Sequence, residues 1–478
     1  MNLAEVAART VAAPAVARLR EILGEGPPAW VVGGTVRDVA LGREVGDLDL
    51  AVAGPPEGPA RRIARALGGA AFELSEEFPA WRARGRDGAW QVDVAQLRGG
   101  GLEEDLALRD FTLGAVAVEL ASGEGHDPLG GLGDLGAGVL RACSGRSFTD
   151  DPLRLMRAAR LTAQFGWAIE PGTLALAREA APRGADPAGE RILAELCLLM
   201  ASRDPVAGLA AMDSIGLFDS VLPEIGALHG VVQGPNHHLD VYGHTIEVLE
   251  GVLRIESELD RFVGERAGET AEYLAEPLAD GIDRGTGLRL AALFHDCAKP
   301  PSRREEDGFI SFRGHDELGA AMIGEIFGRL KSSRRLRQYL TALARDHLVL
   351  GFMVPHRPLD RRRIHAYLKR TDPYPVDVTL LTVADRLAAR GTSSIAGREM
   401  VEGHLELARE MVGHGLDWHR DGPATAPIAG GELARELGIE PGPRLGELLD
   451  ELAAARYAGE ISSAGEAVEH ARRHLESG

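Results

Sequence analysis

Cysteine is scarce in this chain: three among 478 residues, Cys143, Cys197 and Cys297, with no CxxC pair. That excludes a disulfide framework and a zinc ribbon. No apolar run approaches the roughly 18–20 residues of a membrane span. Residues 1–23 mix charged and apolar residues at helical spacing where a secretory leader would carry an apolar core. The expectation is a cytoplasmic protein with no membrane contact. Positive charge is short as well, with 53 Lys and Arg against 72 Asp and Glu, a net charge of −19. Such a field argues against coating nucleic acid without specificity. A local basic stretch remains at Arg329, Lys331, Arg334, Arg335 and Arg337, then Arg357, Arg361, Arg362, Arg363, Lys369 and Arg370. A solvated helix face accounts for it at least as well as an RNA contact. At this length, with 45% apolar and 26% charged residues, the chain holds several domains with ample core.

What is present is organised around residues 30–52, WVVGGTVRDVALGREVGDLDLAV. The pattern predicts a buried strand at 30–32, a Gly-Gly turn, one helix and a second strand carrying Asp47 and Asp49. Residues two apart in a strand share a face, so the two carboxylates project together and can share a divalent metal. Gly33 and Gly34 let backbone approach a ligand at the start of the helix, where unpaired N–H groups favour phosphate. Arg37, one turn on, offers a forked phosphate contact. Alone, GG reads as a turn and DLD as a solvated strand end. Together they set a phosphate cradle against a two-carboxylate site, the layout of metal-assisted nucleotidyl transfer.

GG-x-VRD followed closely by D-x-D resembles the head of the class II tRNA nucleotidyltransferase (CCA-adding enzyme) and bacterial poly(A) polymerase family. Further strands are expected at 70–74, 81–84 and 90–95, and a helix at 61–67. Asp93, in QVDVAQLR, is by resemblance a third carboxylate. LEEDLALRDFTLGAVAVEL, 102–120, is similar to the family's RRDFT-x-NA motif, with Leu108 where Arg is common and Gly114 where Asn is usual. The resemblance implies that Arg109 and Asp110 help place the nucleotide. HDPLGGLGDLGAGVLRA, 126–142, resembles the closing strand of the head, with Asp127 and its glycines as turn residues.

SFTDDPLRLMRAARLTAQFGW, 147–167, matches the family segment FxEDPLRxLRAxRFA. Carried over, Asp151 and Arg154 bond the edge of the incoming base in place of a nucleic-acid template, an exchange of donors and acceptors open to these side chains. Arg157 and Arg160 would contact phosphates, and Glu190, Arg191 and Glu195 would buttress the helix.

A second module begins near residue 235. It carries His237, His238 and His244, the adjacent pair His295-Asp296, then His315, His347 and Asp385, each in a context that reads helical. Mixed imidazole and carboxylate ligands suit an open Mn, Fe, Ni or Mg site. The set His244, His295, Asp296, His315, His347 and Asp385 resembles an HD-superfamily phosphohydrolase, with Lys299 near enough to contact phosphate. By resemblance such a domain acts as a phosphatase or 2′,3′-cyclic phosphodiesterase. After a Pro/Gly linker at 422–431, two helices about a glycine-proline turn resemble the family's tail.

The fold expected is α+β: a small N-terminal nucleotidyltransferase (polymerase-beta-like) mixed sheet with helices, then all-α neck, HD and tail domains. The divisions are 1–145, 146–230, 231–420 and 421–478. The function implied is template-independent addition of C and/or A from CTP and ATP to the tRNA 3′ end, with Mg2+ at Asp47, Asp49 and Asp93. The family's flexible loop is here only residues 98–102, RGGGL, a shortness similar to CC-adding specialists. An A-adding enzyme, a poly(A) polymerase, and an HD phosphohydrolase with an inactive head remain alternatives. Both monomer and homodimer are open.

Overall fold

The first strand, β1 (Ala29–Val32), is built from β-branched and aromatic residues and buries Val31 and Val32. In this computed structural model all residues are described except 25, 76–78, 87–89, 391–396 and 478. The chain divides into two compact units, Met1–Val221 and Leu222–Gly478.

In the first unit a seven-stranded mixed sheet runs in the order β3-β4-β5-β2-β1-β6-β7. Its strands are β1, β2 (Asp47–Val52), β3 (Ala70–Ser75), β4 (Ala80–Arg84), β5 (Gln91–Gln96), β6 (Ala117–Glu119) and β7 (Gly125–His126). Alternation sets the faces: Leu48 and Leu50 of β2 and Val92 and Val94 of β5 are buried, which turns Asp47, Asp49 and Asp93 the other way. The pairing of β2 with β5 is parallel and sets Asp49 directly opposite Asp93, while β1–β2, β1–β6, β3–β4, β4–β5 and β6–β7 are antiparallel. The strands expected near 30, 47, 70, 81 and 90 are all present. One expectation is corrected. Residues 126–142 form no single closing strand; they hold the helix Gly131–Ala137, because both Asp127 carboxylate oxygens accept from the Gly131 and Leu132 amides and start a turn.

The rest of this unit is mostly helical, with one small parallel pair of strands, Val139–Leu140 and Ala168–Ile169. The helix Leu153–Phe165 follows Pro152 and ends at Gly166, a left-handed position (φ 72°). Its buried face, which includes Leu155, Met156 and Ala159, packs on the helices Gly189–Met200 and Pro205–Ile215.

The second unit is almost entirely helical. Asp240 and Asp283 cap the helices Val241–Ser257 and Arg284–Phe294 by accepting from the Gly243 and Thr286 amides. His237 and His238, expected in helical context, lie in the loop before the first of these; His295 and His347 stand at helix C-terminal ends. The tail has three helices, Gly430–Leu437, Pro443–Ala458 and Ala464–Ser477, where the sequence suggested two. Their cluster of Leu433, Leu448, Leu452 and Ala467 gives the tail a small core of its own. Among the described residues no helix is long and apolar enough to cross a membrane.

Candidate functional sites

The head site is built at the edge where β1 meets the helix Gly34–Ala40. Gly33 has φ 65°, and a Cβ there would sit 3.0 Å from Asp49 Oδ2 and 3.2 Å from an Arg109 nitrogen; at Gly34 it would sit 3.4 Å from the same carboxylate. Only glycine leaves this cradle open. The Gly34 amide donates to Asp49 Oδ2 at 3.1 Å. Thr35 holds the start of β2, accepting from the Asp49 amide (2.9 Å) and donating to the Asp47 carbonyl (3.3 Å).

Burial pushes the Asp49 carboxyl upward, Arg109 and the Gly34 amide oppose this, and Asp93 adds to it; the net shift is upward. A partly buried carboxylate beside a second one, its pKa raised in spite of Arg109, suits a divalent cation. Asp93 is paired with Arg82 through two bonds, 2.7 and 2.8 Å. Arg37 pairs with Asp38 and lies over the Phe165 ring at 5.0 Å. Arg109 is held by Asp105, which also takes Arg98.

A second cluster joins the motif residues of 102–120 to those of 147–167. Asp110 accepts from Arg157 (2.8 Å) and from the Phe111 amide. Burial works to raise its pKa, but Arg157 and that amide outweigh it and hold the carboxyl down to about 2. Glu195, buried, takes both Arg157 (3.3 Å) and Arg160 (2.6 Å). Arg160 also reaches Gln164, so it is engaged within the protein rather than turned towards solvent. Arg154 donates to the carbonyls of Leu108 (2.7 Å), Arg109 and Ser147, which ties the helix to the backbone at the Leu108 departure. Asp151 accepts from the Leu153 amide and from Arg191, each at 3.1 Å.

In the second unit, six predicted ligands come together. His244 Nε2 lies 3.0 Å from Asp385 and 3.5 Å from Asp296; His295 lies 3.1 Å and His315 3.3 Å from Asp296. Two groups, His244/His295/Asp385 and Asp296/His315/His347, are each tight enough to hold an ion. His295, His315 and His347 turn Nδ1 to the carbonyls of Ala292, Phe312 and Ala344, leaving Nε2 to face the centre. His244 Nε2, His295 Nε2 and both Asp296 oxygens are buried and make close contact only with one another, the other ligands of the set and Lys299, with no hydrogen-bond partner beyond them. Buried lone pairs gathered in this way are what a metal satisfies. Burial opposes ionisation of Asp296, yet His295 and Lys299 hold it well below the usual carboxylate range; burial, then His295, pushes His347 down to about 4.

Lys299 is buried between Asp296 (2.7 Å) and Gln233 (2.8 Å), braced against the ligand set. Much of the basic stretch is also spent internally: Arg329 on Glu224, Arg362 on Glu451 and Glu460, Lys369 on Asp450, and Arg370 on Asp346.

Sequence reasoning missed Thr35, Arg82, Asp105, Gln233 and the buried His404. Gln233 and His404 are joined to their site only by tertiary placement; Thr35 directly follows the Gly-Gly turn, Asp105 lies one helical turn before Arg109, and the alternation of β4 faces Arg82 with Asp93, local signals that could have found these three.

Family models match in the same order along the chain: the "Poly A polymerase head domain" over 29–100, the "Probable RNA and SrmB- binding site of polymerase A" over 166–228, and the "HD domain" over 241–390. The chain is 36% identical to the A-adding tRNA nucleotidyltransferase of Deinococcus radiodurans, over 94% of this chain and 96% of that one. It is 32% identical to the CC-adding tRNA nucleotidyltransferase of Thermus thermophilus (92% of each) and 32% identical to the multifunctional CCA protein of Xanthomonas campestris (85% and 99%). The fold is similar to the Thermotoga maritima CCA-adding enzyme complexed with tRNA (TM-score 0.63, 21% identity, 99% of each chain) and to a CCA-adding enzyme with CTP (TM-score 0.65, 20% identity, 100% and 99%). With head, RNA-binding segment and HD domain in this order, the chain belongs to the class II tRNA nucleotidyltransferase (CCA-adding enzyme) and poly(A) polymerase family, with an HD domain.

Proposed function

We propose that the head transfers nucleotides from CTP and ATP to the 3′ end of tRNA without a nucleic-acid template. The observation that carries this is the cradle: Gly33 and Gly34 leave space against Asp49 and Arg109 that any Cβ would fill, beside the Asp49–Asp93 pair. Asp47, Asp49 and Asp93 would hold magnesium, which when bound lowers the pKa of the terminal RNA hydroxyl and neutralises triphosphate charge. The protein's own contribution is positional. Thr35 fixes the two Asp of β2, and Arg37 and Arg109 supply positive charge beside Gly33 and Gly34. Asp151 and Arg154 read the base edge, with Asp110, Arg157, Arg160 and Glu195 bracing their helix.

The relatives divide on the nucleotide series. The A-adding relative favours the terminal A, whereas residues 98–102 favour CC addition: they are short and tied back by Arg98 to Asp105 and by the Gly100 amide to Glu104. Labelled-nucleotide incorporation into a tRNA transcript tests the common claim. Asp47→Ala abolishes it and Asp296→Ala leaves it intact; undiminished incorporation by Asp47→Ala overturns the assignment.

The stranded Nε2 and carboxylate atoms of His244, His295 and Asp296 favour a second activity at the HD centre. These residues, with His315, His347 and Asp385, would hold a divalent metal that activates water towards a phosphate ester. RNA ends or nucleotides bearing a phosphomonoester or 2′,3′-cyclic phosphate are the substrates. Metal content and phosphate release, both lost in Asp296→Ala, test it.

A further inference from the structure

A cavity of about 400 Å³ opens beside the HD ligands, with His347 and Asp385 on its wall. Its volume falls in the range of small-ligand sites. Most of the lining is apolar, from Leu348, Phe352, Val354 and Met400. Phe352 stands 72% exposed at this rim. Two polar side chains are left unsatisfied in the same cavity. Arg386, one residue past the ligand Asp385, has Nε and Nη2 buried with no hydrogen-bond partner. His404, on the helix Arg398–Asp421, is only 3% exposed, and its Nε2 also lacks a partner. Buried donors of this kind are rare and costly unless something else completes them.

A guanidinium edge with two free N–H groups matches an oxyanion, above all a phosphate. An aromatic face and a methionine across the cavity match a flat base. Neither the head nor the metal ligands account for this pairing of features.

We propose that Arg386 and His404 anchor the phosphate of a nucleoside monophosphate while Phe352 and Met400 take its base, which orients the phosphate towards the HD centre. The inference rests on the HD centre being a phosphohydrolase site and adds the residues that select a nucleoside phosphate over other esters. The same chemistry is offered by a free nucleotide and by the 3′-phosphorylated end of an RNA.

Calorimetric titration of the full-length, nickel-loaded protein tests it, with inorganic phosphate, adenosine 3′-monophosphate and a short RNA ending in a 3′-phosphate as probes. Arg386→Met is expected to weaken both adenosine 3′-monophosphate and inorganic phosphate by about tenfold or more, with bound nickel unchanged. Phe352→Ser is expected to weaken the nucleotide and spare inorganic phosphate. RNA bound more tightly than the nucleotide identifies the RNA end as the source; the reverse identifies the free nucleotide. Should Arg386→Met fold poorly, Arg386→Lys and His404→Gln serve, each with a several-fold loss expected. Unchanged dissociation constants in these variants overturn the proposal. Arg386-dependent binding without phosphate release by the wild type would instead count against the hydrolase reading alone, and hydrolysis insensitive to Arg386 against the anchor alone.

Discussion

Asp49 and Asp93 stand opposite each other on parallel neighbouring strands, and Asp93 is simultaneously gripped by Arg82 from the strand on its far side. With Asp93 as a third metal ligand, as proposed, Arg82 and the metal ion would compete for one carboxylate.

From that competition, Arg82→Met is expected to lower the Mg2+ concentration needed for half-maximal nucleotide incorporation, and Asp93→Asn to raise it. Both follow from a magnesium titration of the incorporation rate. An unchanged magnesium requirement in Asp93→Asn would remove Asp93 from the site.

The Asp110–Arg157 pair makes the first unit sensitive to acid. Asp110 is held down to about 2, below its ordinary 3.8. A depressed carboxylate stabilises the fold above its unfolded pKa and loses that contribution as pH falls towards the folded value. The loss, of about 2 kcal/mol, is expected between about pH 4 and pH 2. Asp110→Asn should unfold more readily at pH 7, and its gap from the wild type should close over that window in pH-dependent denaturation.

Glu195 balances two arginines, at 3.3 Å from Arg157 and 2.6 Å from Arg160. Replacing it with Gln leaves Arg160 without a carboxylate in a buried setting and Arg157 with Asp110 alone, a cost of about 3 kcal/mol. The thermal transition of the first unit is expected to fall by several degrees, with incorporation falling as the helix Leu153–Phe165 loses its brace.

The proposed HD ligands gather buried lone pairs, so a bound metal should stabilise the chain. After chelation, nickel or manganese at about a hundred times its dissociation constant adds about 2.7 kcal/mol, read as a raised melting transition. Asp296→Ala is expected to show no such rise, while magnesium-dependent incorporation at the head continues.

Much of this was legible in the sequence for a physical reason. The head motif is local: a Gly-Gly turn and a two-residue carboxylate spacing dictate their own geometry, whereas Asp93 was legible only through the family resemblance, because its place opposite Asp49 depends on the pairing of β2 with β5. The HD ligands are scattered, but the residue types announced them. Tertiary partners were not legible. Nothing near Arg154 says that it donates to the Leu108 carbonyl, 46 residues away. Likewise Arg160 reads as a surface arginine until Glu195 is brought beneath it, and His404 sits on a long helix with no metal motif around it. The basic stretch stayed undecided in the sequence for the same reason, since the acidic partners of Arg362 and Lys369, Glu451, Glu460 and Asp450, lie in the tail.

The most direct measurement is incorporation on three tRNA transcripts, ending before CCA, after C and after CC, each with CTP, ATP or both, by the wild type and by Asp49→Asn. The account predicts extension of at least one transcript by the wild type and none by the variant. The pattern of extension separates CCA, CC and A addition, and only full CCA synthesis would show that the short residues 98–102 do not limit the series. No extension of any transcript, or equal extension by Asp49→Asn, would contradict nucleotidyl transfer by the head.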